Sequence, residues 1–112
     1  MHTRNLFILL GRVGQAPKAF QKAAKISVAT DRTWTDAKGE RREQTDWVTV
    51  TILNEKAAAW AIAHITKGDA VYAECRIADG SYKKGEETVY TTDVIAHVFH
   101  KFDLGPRDAA EA

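Results

Sequence analysis

The sequence predicts an all-β domain: a five-stranded barrel with one helix inserted between the third and fourth strands. Three observations lead there. Apolar residues alternate with other residues in Val48-Val50-Ile52 and again in Val71-Ala73-Cys75-Ile77, the period of two that a half-buried strand needs. Only one segment, EKAAAWAIAHIT, is strongly helix-favouring. Charged, glycine-bearing stretches separate the alternating segments, as hairpin connections do.

Taken in order, Leu6 to Leu10 is a continuous apolar run, closed by Gly11 and followed by Gly14 and Pro17. It is expected to be a first strand buried on both sides and curving at the glycines. Ala16 to Lys22 reads as a short connection. Ile26 to Leu53 reads as a long hairpin whose charged loop carries Gly39 near its tip. Asn54 is an N-cap candidate for the helix, Glu55 suits the positive end of the helix dipole, and Lys67 and Gly68 end it. Ala70 to Ile77 is the fourth strand, Asp79 to Glu87 a loop or extended hairpin tip, and Thr88 to Phe99 the last strand. Strand, hairpin, helix, hairpin is the order of the Greek-key barrel known as the OB-fold, although pattern alone leaves other small β-barrels open. Residues 1–100 are expected to form this domain. Residues 101–112, with Gly105, Pro106 and little apolar matter, are expected to be a short flexible tail.

The composition bounds the function classes. A chain of 112 residues can build a core without disulfides or metal. With 16 basic and 15 acidic side chains, global charge says nothing about nucleic acid; only local clustering could. Cys75 is the sole cysteine, which excludes an intrachain disulfide and a cysteine-based zinc site and fits a reducing compartment. The apolar run near the N-terminus is too short for a signal-peptide core or a membrane span, so a cytoplasmic protein without membrane contact is expected. No catalytic residue, metal or cofactor is expected. His97 and His100 lack carboxylate or thiolate company, Asp31 and Asp93 lack an acid/base partner, and no glycine-rich phosphate loop precedes a helix.

Within the hairpin, Val48, Val50 and Ile52 form one face, and Trp47 shares the other with Thr49, Thr51 and Leu53. If the valines face the core, Trp47 points away from it, near a loop bearing Lys38, Arg41 and Arg42. Strand tryptophans also sit in cores and subunit contacts, so parity leaves that reading open. Trp34 shares parity with Ile26 and Val28 and stays open too, because a strand this long often bends or bulges. Trp60, in the helix with Ala57, Ala61 and His64, reads as core or subunit packing.

NLFILLGRVGQAP, SVATDRTWTDAKGERREQTDW, KGDAVYAE and VYTTDVIAHV together resemble the bacterial single-stranded DNA-binding protein family, over roughly Asn5 to Val98. The resemblance implies an OB-fold that binds single-stranded DNA with little sequence preference in replication, recombination or repair, near the nucleoid. It also implies a homotetramer, with a dimer as runner-up. By the same resemblance, Trp34 and Trp47 match two stacking tryptophans of the family. A third platform, usually aromatic, falls on Leu53, and a fourth, usually tryptophan, on Tyr82. The basic residues usual just before that fourth position are replaced by Ala78, Asp79, Gly80 and Ser81, which implies weaker binding or a shorter occluded site. The family's acidic C-terminal tip recruits other proteins. Here Arg107, Asp108 and Glu111 stand among alanines, and no tail-mediated recruitment is expected.

Flat aromatics stack on unpaired bases whatever their identity, and Lys or Arg neutralise phosphates and release counterions. The phosphate candidates are Arg4, Arg12, Lys25, Arg32, Arg41, Arg42, Lys83 and Lys84, moderated by Asp36, Glu40 and Glu43. Any one of them is as readily a solvated surface charge; flanking Trp34, Trp47 and Tyr82 they form a set. The competing class is an OB-fold protein-interaction module of a primosome-like assembly, with weak or no DNA binding and with the tryptophans in partner interfaces.

Overall fold

Two long antiparallel hairpins make up most of the structure, a computed structural model that describes residues 2–102. Among these the elements run β1 (Phe7–Val13), β2 (Lys18–Phe20), β3 (Ala23–Thr35), β4 (Arg41–Ile52), α1 (Glu55–His64), β5 (Ala70–Lys84) and β6 (Glu87–Phe102). β1 pairs with β5, β5 with β6, β6 with β4 in parallel, and β4 with β3. The ring closes where β3 returns to β1, through Arg12 beside Ala29 and Val13 beside Val28. That closure needs Gly11, since a Cβ there would stand 2.4 Å from the Ala29 carbonyl oxygen. Outside the ring, β2 lies on the edge of β3. The five-stranded barrel predicted from the element order is therefore β1, β3, β4, β5 and β6, with the helix between its third and fourth strands.

Alternation places Leu9, Val13, Ile26, Val28, Val50, Ile52, Val71, Ala73 and Cys75 in the interior. The helix adds Ala58 and Ala61, and its C-cap Ile65 follows them inward. Burying one Val or Ile side chain is worth about 1.5–3 kcal/mol, and an exposed ion pair about 1 kcal/mol at most, so this cluster carries the fold. Burial also pushes the Cys75 thiol up, keeping it protonated. The expected N-cap is present: Asn54 Oδ1 accepts from the Ala57 amide at 2.9 Å. At the other end of β1 the Asn5 amide exchanges two hydrogen bonds with the Ile77 backbone, extending the β1–β5 ladder by a side chain.

Several boundaries differ from expectation. The first strand is not buried on both sides: Leu9 and Val13 face inward, whereas Ile8 and Leu10 are 55% and 60% exposed. An unbroken apolar run cannot distinguish a two-sided core from a face left for a partner. Ala16 to Lys22 is not a plain connection, because it contains β2, turned back onto β3 at Gln21, whose φ is +55°. The helix ends at His64, before the expected Lys67 and Gly68. Asp79 to Glu87 resolves as the extended hairpin tip, with only Gly85 and Glu86 in the turn. The last strand runs to Phe102, two residues past the expected domain end at 100. The rest of the expected tail, 103–112, lies outside the described residues.

Candidate nucleic-acid interface

The β3–β4 register runs from Ala24 beside Ile52 to Thr35 beside Arg41 without a shift, so side-chain parity holds along the whole ribbon. The core face carries the pairs Ile26–Val50 and Val28–Val48, and continues beyond the barrel as Thr30–Asp46, Arg32–Gln44 and Trp34–Arg42. The opposite face carries Lys25–Thr51, Ser27–Thr49 and Ala29–Trp47. Trp34 thus does continue the core face, but beyond the part that the barrel interior covers, and it remains 40% exposed. Trp47 lies on the outer face and is 60% exposed, as its parity predicts. Leu53 follows one residue after β4 and is exposed as well.

What holds each ring differs. The Arg32 guanidinium lies 4.7 Å over the Trp34 ring, while its Nε donates to Asp46 Oδ2 at 2.8 Å and its Nη2 to Gln44 Oε1 at 3.2 Å. The Trp47 indole instead lies over the backbone of Gly14, where an added Cβ would stand 2.1 Å from indole Cζ3. At the ribbon tip, Asp36 Oδ1 accepts from the Lys38 and Glu40 amides, and its Oδ2 accepts from Arg42 Nε at 2.9 Å. The Glu40 amide first and Arg42 second hold the Asp36 carboxyl below its ordinary value, with slight desolvation opposing them and the Lys38 amide helping. Gly39, at φ +82°, supplies the left-handed residue of that turn.

The second ribbon is β5–β6. Its turn has a positive φ at Gly85 alone, +64°, the pattern of a type II′ hairpin. Tyr82, opposite Val89, is 54% exposed and shares its face with Lys84, two residues on. Lys83 falls on the other face with Ser81 and Tyr90, and Tyr90 is 81% exposed.

The phosphate candidates separate into groups. Arg32 is paired with Asp46, and Arg42 with Asp36 and Glu40, so their charges are largely answered within the hairpin. Arg12 Nη1 donates to the Gly68 carbonyl at 3.1 Å, and Lys25 Nζ sits 4.8 Å from the Phe20 ring centroid. Arg4, Arg41, Lys83 and Lys84 make no ion pair among the described residues. Trp60, expected in packing, is 40% exposed and stacks on His64 with ring centroids 5.4 Å apart.

Four residues lay outside the sequence-based set: Gly14, Lys18, Phe20 and Tyr90. A glycine beside a strand is a known mark of close backbone approach, so Gly14 carried a signal, but not the identity of what lies on it. Lys18 and Phe20 were hidden inside an apparent connection. Among the described residues no group of three or more side chains could hold a metal ion, and no helix is long and apolar enough to cross a membrane. The arrangement is a set of exposed rings on two ribbons, interspersed with cations, which can stack on flat groups and neutralise anions.

A model of the family described as the single-strand binding protein family matches residues 4–102. A Neisseria meningitidis protein named single-stranded DNA-binding protein is 38% identical in an alignment 101 positions long that covers 83% of this chain and 56% of that one. The chain thus spans little more than half the length of that relative. A Rickettsia felis protein of the same name is 33% identical in an alignment 104 positions long that covers 86% of this chain and 68% of its own. Among solved structures, one titled as the Plasmodium falciparum SSB complex with ssDNA superposes with a TM-score of 0.76 at 22% identity, covering 92% of this chain and 98% of that one. That likeness establishes the OB-fold.

Proposed function

The chain belongs to the single-strand binding protein family, and from that premise we propose that it binds single-stranded DNA with little sequence preference. Its task is to coat and protect exposed strands in replication, recombination or repair, in the cytoplasm at the nucleoid. No catalytic step is part of this reading. The observation that carries it is the exposure of Trp34, Trp47 and Tyr82 on strands that run on beyond the barrel. Large rings left in water at such sites are stacking platforms awaiting a partner. Leu53 adds an apolar contact on the Trp47 side, and Arg4, Arg12, Lys25, Arg41, Lys83 and Lys84 neutralise phosphates. Arg32 and Arg42 act mainly by holding the hairpin and the Trp34 ring. Leucine in place of an aromatic, and two answered arginines, favour weaker binding than a full set of platforms would give.

Titration with oligo-dT tests this. Strong quenching of tryptophan emission is expected, and Trp47→Ala should weaken binding by about 1–3 kcal/mol with little change in thermal stability. Unchanged emission and no binding would favour the protein-contact module instead.

The chain also assembles with copies of itself under this proposal, as a tetramer or failing that a dimer. The outer face of β1 supports it, since Ile8 and Leu10 are exposed beside Glu74 and Tyr72 of β5. An apolar sheet face of this kind is commonly covered by symmetric association.

A further inference from the structure

Phe20 is 56% exposed on the three-residue strand β2, on a chain in which Leu53, proposed above as a contact on the Trp47 side, is not aromatic. The register explains where it points. Lys18 lies beside Lys25 and Phe20 beside Ala23, and partners in a ladder share a face, so Lys18, Phe20, Lys25, Ser27, Thr49 and Trp47 all lie on one side of the β2–β3–β4 sheet. A shallow groove crosses that side, lined by Gln15, Ala16, Lys18, Lys25, Ser27 and Thr49. Trp47 stands next to its wall, since Ala29–Trp47 is the row following Ser27–Thr49. At the other end, the row after Ala24–Ile52 would set Leu53 opposite Ala23, which is itself beside Phe20.

We infer that Phe20, with Lys18 and Lys25, is a further nucleotide-binding subsite of the Trp47 face, taking one base of single-stranded DNA on its ring and the adjoining phosphate on the two lysines. This rests on the single-stranded DNA reading above and adds to it a platform that compensates for Leu53. The physical grounds are three. The ring is solvent-facing where packing does not require it. Lys25 covers one side of it at 4.8 Å, an arrangement that orients the ring and leaves the remainder open. Between Phe20 and Trp47 the groove offers the hydroxyls of Ser27 and Thr49 and the Gln15 amide, groups that can hydrogen-bond to sugar, phosphate or base edges without selecting a sequence.

The test compares Phe20→Ala, Phe20→Leu and Phe20→Tyr with the unaltered protein in oligo-dT titrations, alongside Trp47→Ala. Phe20→Ala and Phe20→Leu should each lose about 5- to 100-fold in affinity, and Phe20→Tyr should restore most of it, because stacking needs a flat ring and packing does not. Equal affinity in all three would overturn the subsite while leaving the Trp47 loss, and the parent reading, intact. No binding by the unaltered protein would sink both. A drop in oligomer mass in Phe20→Ala by light scattering would overturn it in favour of a contact between copies. A fourth measurement needs no variant: irradiating the unaltered protein with iodouracil-substituted oligo-dT should attach the DNA at Phe20 as well as at Trp47, and attachment at Trp47 without Phe20 would overturn the inference.

Discussion

A methyl group added at Gly14 would stand 2.1 Å from the Trp47 indole, so Gly14→Ala must push that ring off the turn beneath it. The backbone at Gly14 is not in the left-handed region, and the substitution is therefore a local displacement rather than a folding defect. Gly14→Ala is expected to shift the Trp47 emission maximum and to weaken oligo-dT binding. In a Trp47→Ala background it should cause no further loss, a non-additivity that a general loss of stability would not produce. Additive losses would mean that Gly14 does not act through the ring. At this scale the sequence was informative where the period of two applies: the outward direction of Trp47 followed from the inward one of Val48 and Val50. It was silent where a residue is shaped by what lies on it, as with Gly14, and where a charge is answered across the ribbon, as with Arg32 and Asp46. Those pairs depend on register, which no local pattern specifies.

The ribbon tip between β3 and β4 is organised by one carboxylate. Asp36 accepts from two loop amides and from Arg42, and the folded carboxyl binds its proton less readily than the ordinary value of 3.8 implies. A depressed folded value means the stabilisation is complete above the unfolded value and is lost as the pH falls through the folded one. Below about pH 3.8 the Lys38 and Glu40 amides should lose exchange protection before the barrel amides do. Asp36→Asn should lack that acid step; its persistence would assign the step elsewhere. The long elements were legible because alternation and the Asn54 cap are local signals. β2 was not, since Lys-Ala-Phe has all three residues exposed and owes its strand character to the neighbouring edge of β3. The true extent of β1 and β6 was hidden for a related reason: their outer ends are fixed by ladder partners, not by their own composition.

At the scale of the whole molecule, Leu6, Ile8 and Leu10 on the outer side of β1 are exposed among the described residues, and light scattering at micromolar concentration is expected to give a tetramer or dimer. Leu10→Glu should lower that mass, because it places a charge at a residue 60% exposed within an apolar row. A monomer in the unaltered protein would contradict the assembly outright. The barrel itself is closed by two short seams, Arg12–Val13 against Val28–Ala29, and Val50–Ile52 against Val94–Ala96. Each long hairpin is contiguous in sequence and can zip within about 1–10 μs, whereas the second seam must wait for a loop that contains the helix and β5 to come round. Seam closure is then expected to be the slow step of folding, and its reversal the cheapest large fluctuation of the native state. The amides that bridge β4 and β6 within Val50–Ile52 and Val94–Ala96 should accordingly exchange with deuterium faster than those that bridge β3 and β4; the opposite order would show that the ring opens elsewhere. A protein built this way breathes by parting its staves, with both ribbons, and the rings they carry, still intact.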